Sequence, residues 1–202
     1  MKLNTFMAYL ATAAYVPMAE LVEIVRTLKG QSAHFADEEF DPAAQFRAKS
    51  GPGGGVDVTP FHAAFLIISL LAASSRKDLA ANAWRIFVAK NGRAAARRPN
   101  EIPELKACEV TGERLFGEAL KACIANPPEP AVKSVRVAFR EDQNGRSNWA
   151  EILFEDGSTS RFGNAEMRPF ERIGQLDGSV LRQAGALLAQ DSADSSADLE
   201  DE

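Results

Sequence analysis

The chain predicts an α+β protein with four parts: an α-helical N-terminal domain over residues 1–125, a Pro-rich linker at 126–130, a small three-stranded antiparallel meander covered by a C-terminal helix over 131–190, and a disordered acidic tail at 191–202. Three observations carry that expectation. Apolar residues recur at helical spacing before NPPEP (126–130) and at alternating spacing after it. Three prolines in those five residues make a stiff, extended connector between the two patterns. The last twelve residues hold six carboxylates and no basic group, a composition that cannot bury apolar surface. At 202 residues, 46% hydrophobic and 25% charged, the chain can build one domain or two small ones.

Residues 5–15 are apolar and Ala-rich enough for a helix, and Pro17 starts a new one, because proline is tolerated in a first turn but not in a helix interior. From Met18 to Lys29, Leu21, Val22, Val25 and Leu28 define an apolar face, and Gly30 ends the helix. Asp41-Pro42 opens a short helix through about Lys49, with Phe40, Ala43, Ala44 and Phe46 as its contacts. The glycines and proline of SGPGGG (50–55) stop it. Thr59-Pro60 repeats the start signal, and FHAAFLIISLLAA after it is apolar almost all round, the mark of a central core helix. Ser74 or Ser75 caps a further helix, with Asp78 in its first turn and Leu79, Ala83, Ile86 and Phe87 at helical spacing, and Asn91-Gly92 ends it. Pro99 and Pro103 interrupt regular structure, and one or two helices then cover roughly 104–125 using Leu105, Leu115, Phe116, Leu120 and Ile124.

Beyond the linker, Val135, Val137 and Phe139 alternate with Arg136 and Arg140 in a strand over 132–140. Asn144-Gly145 suits a hairpin turn, Trp149–Phe154 forms a second strand, Asp156-Gly157 a second turn and Thr159–Phe162 a third strand. Such a meander needs a cover for its apolar face, which a helix at about 179–190 supplies with Val180, Leu181, Ala184, Leu187 and Leu188.

The chain contains few of the residue patterns that carry chemistry. Cys108 and Cys123 have no CxxC or Cys/His companions, so they read as small core thiols, and no metal or cofactor site is expected. GPGGG lacks the Lys-Ser/Thr of a phosphate-binding loop. His34 and His62 stand alone, and a general base needs a positioned partner. Adjacent carboxylates, Glu38 with Glu39 and Glu155 with Asp156, project in different directions. An enzyme is therefore the least favoured class. No segment reaches the roughly 20 apolar residues of a membrane span. The N-terminal apolar run is broken by Asn4, Thr5, Tyr9, Thr12 and Tyr15, unlike a secretion signal, so a cytoplasmic protein without membrane contact is expected.

Charge is more informative. The net −5 conceals an acidic end: without residues 191–202 the body is +1. Residues 47–98 carry nine basic side chains against Asp57 and Asp78, a net +7. Such a cluster can neutralise several phosphates, which is the sequence-independent part of DNA affinity. The expected contacts are Arg47, Lys49, Arg76, Lys77, Arg85, Arg93, Arg97 and Arg98, with Thr59 and His62 at a helix N-terminus. The alternative is a protein-interaction or assembly factor that docks a protein partner or a second copy through the meander and Trp149; Trp149 could instead fill the core beneath the 179–190 helix.

The stretch AAQFRAKSGPGGGVDVTPFHAAFLIISLLAA resembles the N-terminal region of short, uncharacterised proteins encoded by phages and prophages of alphaproteobacteria, in which a short helix, a glycine-rich turn and a VTP..AA.L...LLA helix recur. The likeness spans about residues 18–90. It implies a helix-turn-helix-like part within 18–98 and a role in transcription regulation. Where that pattern has an aliphatic GLLP-like element, this chain has Phe46-Arg47-Ala48-Lys49-Ser50.

Overall fold

Pro17 does separate two helices. In a computed structural model, which describes residues 1–31, 41–42, 44–47, 55–72, 78–91, 107–139, 148–163 and 172–197, α1 (Leu3–Ala13) ends before it and α2 (Met18–Gly30) begins after it. The buried face of α2 is Leu21, Ile24, Val25 and Leu28; Val22, expected on that face, points outward at 47% exposure. Where a helix is expected after Asp41, the described residues form one 3-10 turn, Ala44–Phe46, which sinks the Phe46 ring into the core. Phe40, Ala43 and Lys49 lie outside the described residues.

Thr59 and Pro60 start α3 (Pro60–Leu71) at the expected position, and every residue from His62 to Ser69 is buried. α4 (Leu79–Phe87) takes Asp78, in the left-handed region at φ +59°, as its N-cap position in place of the expected serines. α5 (Phe116–Ala125) is shorter than the helical stretch expected, because residues 108–112 form a turn closed by the Gly112 amide on the Cys108 carbonyl.

After the proline run come β1 (Val132–Phe139), β2 (Trp149–Phe154), β3 (Thr159–Gly163), β4 (Arg172–Asp177) and α6 (Gly178–Ala197). The sheet is antiparallel throughout, in the order β3-β2-β1-β4. The three-stranded expectation thus lacks β4, which returns to pair with β1 from Ser134↔Asp177 to Phe139↔Arg172. Gly174 explains the missing signal: a Cβ there would lie 2.5 Å from the Leu71 carbonyl oxygen, so the inward position that would complete an apolar alternation must be empty. The acidic end also differs from expectation. α6 continues through Ala197, and the Asp191 carboxylate pairs with the Met1 amino group; residues 198–202 lie outside the described residues.

Val135, Val137, Ala150, Ile152, Phe154, Phe162 and Leu176 line the inner face of the sheet, and the apolar cluster they belong to also contains residues of all six helices, from Leu3 to Ala184. α3 and α6 pack on that face, Phe116 of α5 meets Phe162 of β3, and the helical and sheet halves share one core across the proline run. Among the described residues no helix is long and apolar enough to cross a membrane.

Candidate functional site

The N-terminus of α3 is built by a short-range exchange. Thr59 sits in extended backbone as N-cap, and His62, three residues on, turns its ring back so that Nδ1 accepts the Thr59 amide N–H at 3.2 Å, with Thr59 Oγ1 2.8 Å from the same nitrogen. This is a capping box in which imidazole takes the place usual for Glu or Gln. The other nitrogen, Nε2, donates to the Gln45 carbonyl at 3.0 Å. Phe46 and Phe61 both present edge-on contacts to the ring, at centroid separations of 5.3 and 5.8 Å. Burial holds the imidazole below the ordinary histidine range, and the bond to the Gln45 carbonyl acts weakly the other way. His62, expected as a nucleic-acid contact, is therefore buried with both nitrogens committed to its own chain; it is neither a free donor nor an available base.

Thr59, by contrast, remains exposed. Arg47 is exposed beside the C-terminal end of α2: its Nε donates to the Lys29 carbonyl at 3.4 Å and an Nη lies 3.7 Å from Asp41. Arg85 is exposed on α4, donating to Asn82 Oδ1 at 3.4 Å. Lys49, Arg76, Lys77, Arg93, Arg97 and Arg98 lie outside the described residues. Two exposed cations that sequence reasoning left out, Arg26 and Lys29, lie on α2, whose C-terminal carbonyl at Lys29 accepts from Arg47; there the Ala80 amide also donates to Gln31 Oε1 at 2.8 Å and pins the start of α4. Arg26 pairs with Glu23 one turn back at 2.9 Å, so Arg26 and Arg47 each have a carboxylate partner, Glu23 and Asp41. The signal for them was the charged side of the amphipathic α2. α3 itself, buried from His62 to Ser69, has no face to enter a DNA groove, so the second helix of a helix-turn-helix has no counterpart in it.

Trp149, expected to dock a partner, is only 6% exposed. Strand alternation sets it beside Glu151 and Leu153 on the side away from the inner-face residues, so it does not fill the core beneath α6 either. That outer face carries a polar row in register across all four strands: Arg161, Glu151, Arg136 and Gln175. Glu151 is 5% exposed and accepts from Arg161 Nε, with Arg136 Nη1 at 3.7 Å, while Arg136 Nε donates to Gln175 at 3.0 Å.

Beside Thr59 an open groove of about 400 Å³ runs between the start of α3 and α5, walled by Pro60, Phe61 and Ala122, with Glu113, Glu118 and Lys121 at its rim. Glu118 and Lys121 pair with each other at 2.5 Å. Cys108 and Cys123 are both buried and free; burial, with Cys108 adding to it, pushes the Cys123 thiol up to about 12, far from a reactive thiolate. Among the described residues no group of His, Cys, Asp and Glu could hold a metal ion. No protein-family model matches the chain, and no curated protein or solved structure is significantly similar to it.

Proposed function

We propose that the chain is a non-enzymatic DNA-binding protein, a regulator of the phage-associated kind that the 18–90 resemblance implies, which grips phosphate through basic residues gathered at the C-terminal end of α2. The observation that carries the reading is Arg47 held on the Lys29 carbonyl at the end of α2, inside a chain whose residues 47–98 are +7. Phosphate contact needs exposed, long cationic side chains on a fixed base. Arg47 and Lys29 fit that need, since the Arg47 guanidinium is bonded to the α2 backbone end. Because α3 is buried, sequence-specific readout through that helix is not part of the proposal.

The test is fluorescence anisotropy with duplex DNA over a range of salt. The wild-type chain binds at low salt and weakens as salt rises, and the doubly substituted Lys29→Ala, Arg47→Ala chain shows a salt slope shallower by about one for each contact removed. Wild-type binding with an unchanged slope in the double variant would move the phosphate contacts elsewhere. No binding at low salt would end the DNA reading. A protein-interaction or assembly factor then stands in its place, favoured by a specific observation: Tyr15 is 95% exposed in a left-handed backbone conformation, next to exposed Met18 and Val22.

A further inference from the structure

We infer that the chain associates head to tail with a second copy of itself: the corner between α1 and α2, led by the Tyr15 ring, enters the groove between the start of α3 and α5 of the next molecule. The backbone marks this corner out. The Tyr15 amide donates to the Thr12 carbonyl at 3.4 Å and the Val16 amide to the Ala11 carbonyl at 2.9 Å, the paired bonds of a Schellman turn that closes α1. Tyr15 takes the left-handed position of that turn, at φ +53°, where glycine is the usual residue and a side chain is strained. At 95% exposure the ring adds no packing to its own fold. A large amphipathic side chain held outward on strained backbone has the character of an anchor for another surface.

Tyr15 is not isolated. Among the described residues four large apolar side chains are exposed, and three of them, Tyr15, Met18 and Val22, fall at this corner and on the first turns of α2. Met18 and Val22 stand one turn apart, and the exposed Arg26 follows one turn later. Its pairing with Glu23 is solvated at the guanidinium and therefore a weak hold. The corner thus presents apolar area, a phenol donor and a cation.

The groove offers the complement. Its volume of about 400 Å³ accepts a ring, and Pro60, Phe61, Ala122 and Ala125 give it apolar walls. A phenol ring entering it meets the Phe61 ring, a favourable aromatic pairing. At the rim Glu118 is matched by Lys121, whereas Glu113 forms no ion pair among the described residues. The Glu113 carboxylate can accept from the Tyr15 hydroxyl and attract Arg26. Both complementary halves belong to this one chain, which assigns a second copy as the occupant. They lie on different elements, so the contact is heterologous, and the copies run on into a ring or an open chain.

Sedimentation velocity of the full chain without nucleic acid, from about 10 to 500 μM, tests the contact over the range suited to a small interface. The wild-type mass rises above the monomer with concentration. Tyr15→Gly weakens association by about thirtyfold, the loss of one hot-spot side chain, while its thermal midpoint holds or rises because glycine suits the left-handed turn. Ala122→Gln, which fills the groove, and Glu113→Lys, which reverses its rim, weaken association as well. Each variant keeps one intact half, so Tyr15→Gly mixed with Ala122→Gln forms a 1:1 complex that grows no further. Should Ala122→Gln not fold, Glu113→Lys takes its place in the mixture. A monomer at every concentration would overturn the proposal and leave the groove to a foreign partner. Association that survives Tyr15→Gly or both groove variants, no complex in the mixture, or a lowered midpoint in Tyr15→Gly would overturn it equally. The contact does not depend on DNA binding, and either can fail with the other intact.

Discussion

Gly117, the second residue of α5, shows how single positions set this core. A Cβ there would stand 2.2 Å from carbons of the Phe87 ring. Phe87 cannot easily yield, because it stacks on Trp84 at 5.3 Å and packs against Phe61 and Phe65. Alanine is the better helix former by about 1 kcal/mol, yet the overlap costs more, so Gly117→Ala should destabilise the fold by about 1–3 kcal/mol. Urea denaturation reads this directly, and a raised midpoint would show that the ring gives way. The sequence alone supplies no sign of this role, because a helical glycine looks the same whether it is packed or idle. Thr59-Pro60 was legible as a helix start, since capping is a local matter of four residues. The fate of His62 was not: its second partner, the Gln45 carbonyl, is seventeen positions away.

Elements behave in the same way. β1 and β3 were visible because one side of each faces the helices and the other carries polar groups, which writes a period of two into the chain, and β2 because it is a short apolar run between turn signals. β4 was not, because its inner position 174 must be glycine to let the Leu71 backbone approach. The outer face of the sheet is equally a product of register. Arg161, Glu151, Arg136 and Gln175 are spread over forty residues of sequence and meet only because the strands align. Glu151 is the buried member and both arginines are partly solvated, so the row is worth less than a fully buried pair. Glu151→Ala should cost about 1–2 kcal/mol and Glu151→Gln less, measured by chemical denaturation. An alanine variant as stable as the parent would show that the row is surface decoration. The extension of α6 past Gln190 was hidden for a related reason: Asp191 reads as the start of a solvated tail until the Met1 amino group is found beside it.

For the whole molecule, the shared core has a thermodynamic consequence. Residues from α1 to α6 and the sheet bury one another, with Tyr9 on α1 donating to the Val180 carbonyl on α6 at 3.0 Å. The chain should therefore unfold in a single calorimetric transition whose van't Hoff and calorimetric enthalpies agree. Two resolved transitions would instead make residues 126–130 a true domain boundary. By itself the sequence determined the α+β class, the helix starts at Pro17 and Thr59, three of the four strands, and the buried character of α3, because these depend on periodicity and capping among near neighbours. It also determined that basic charge concentrates in residues 47–98. Only the tertiary structure decided that Trp149 and His62 are buried, that β4 closes the sheet beside β1, and that Arg47 meets the end of α2. Each of those outcomes depends on groups far apart in the chain, and period and composition carry no record of which distant residue will meet which.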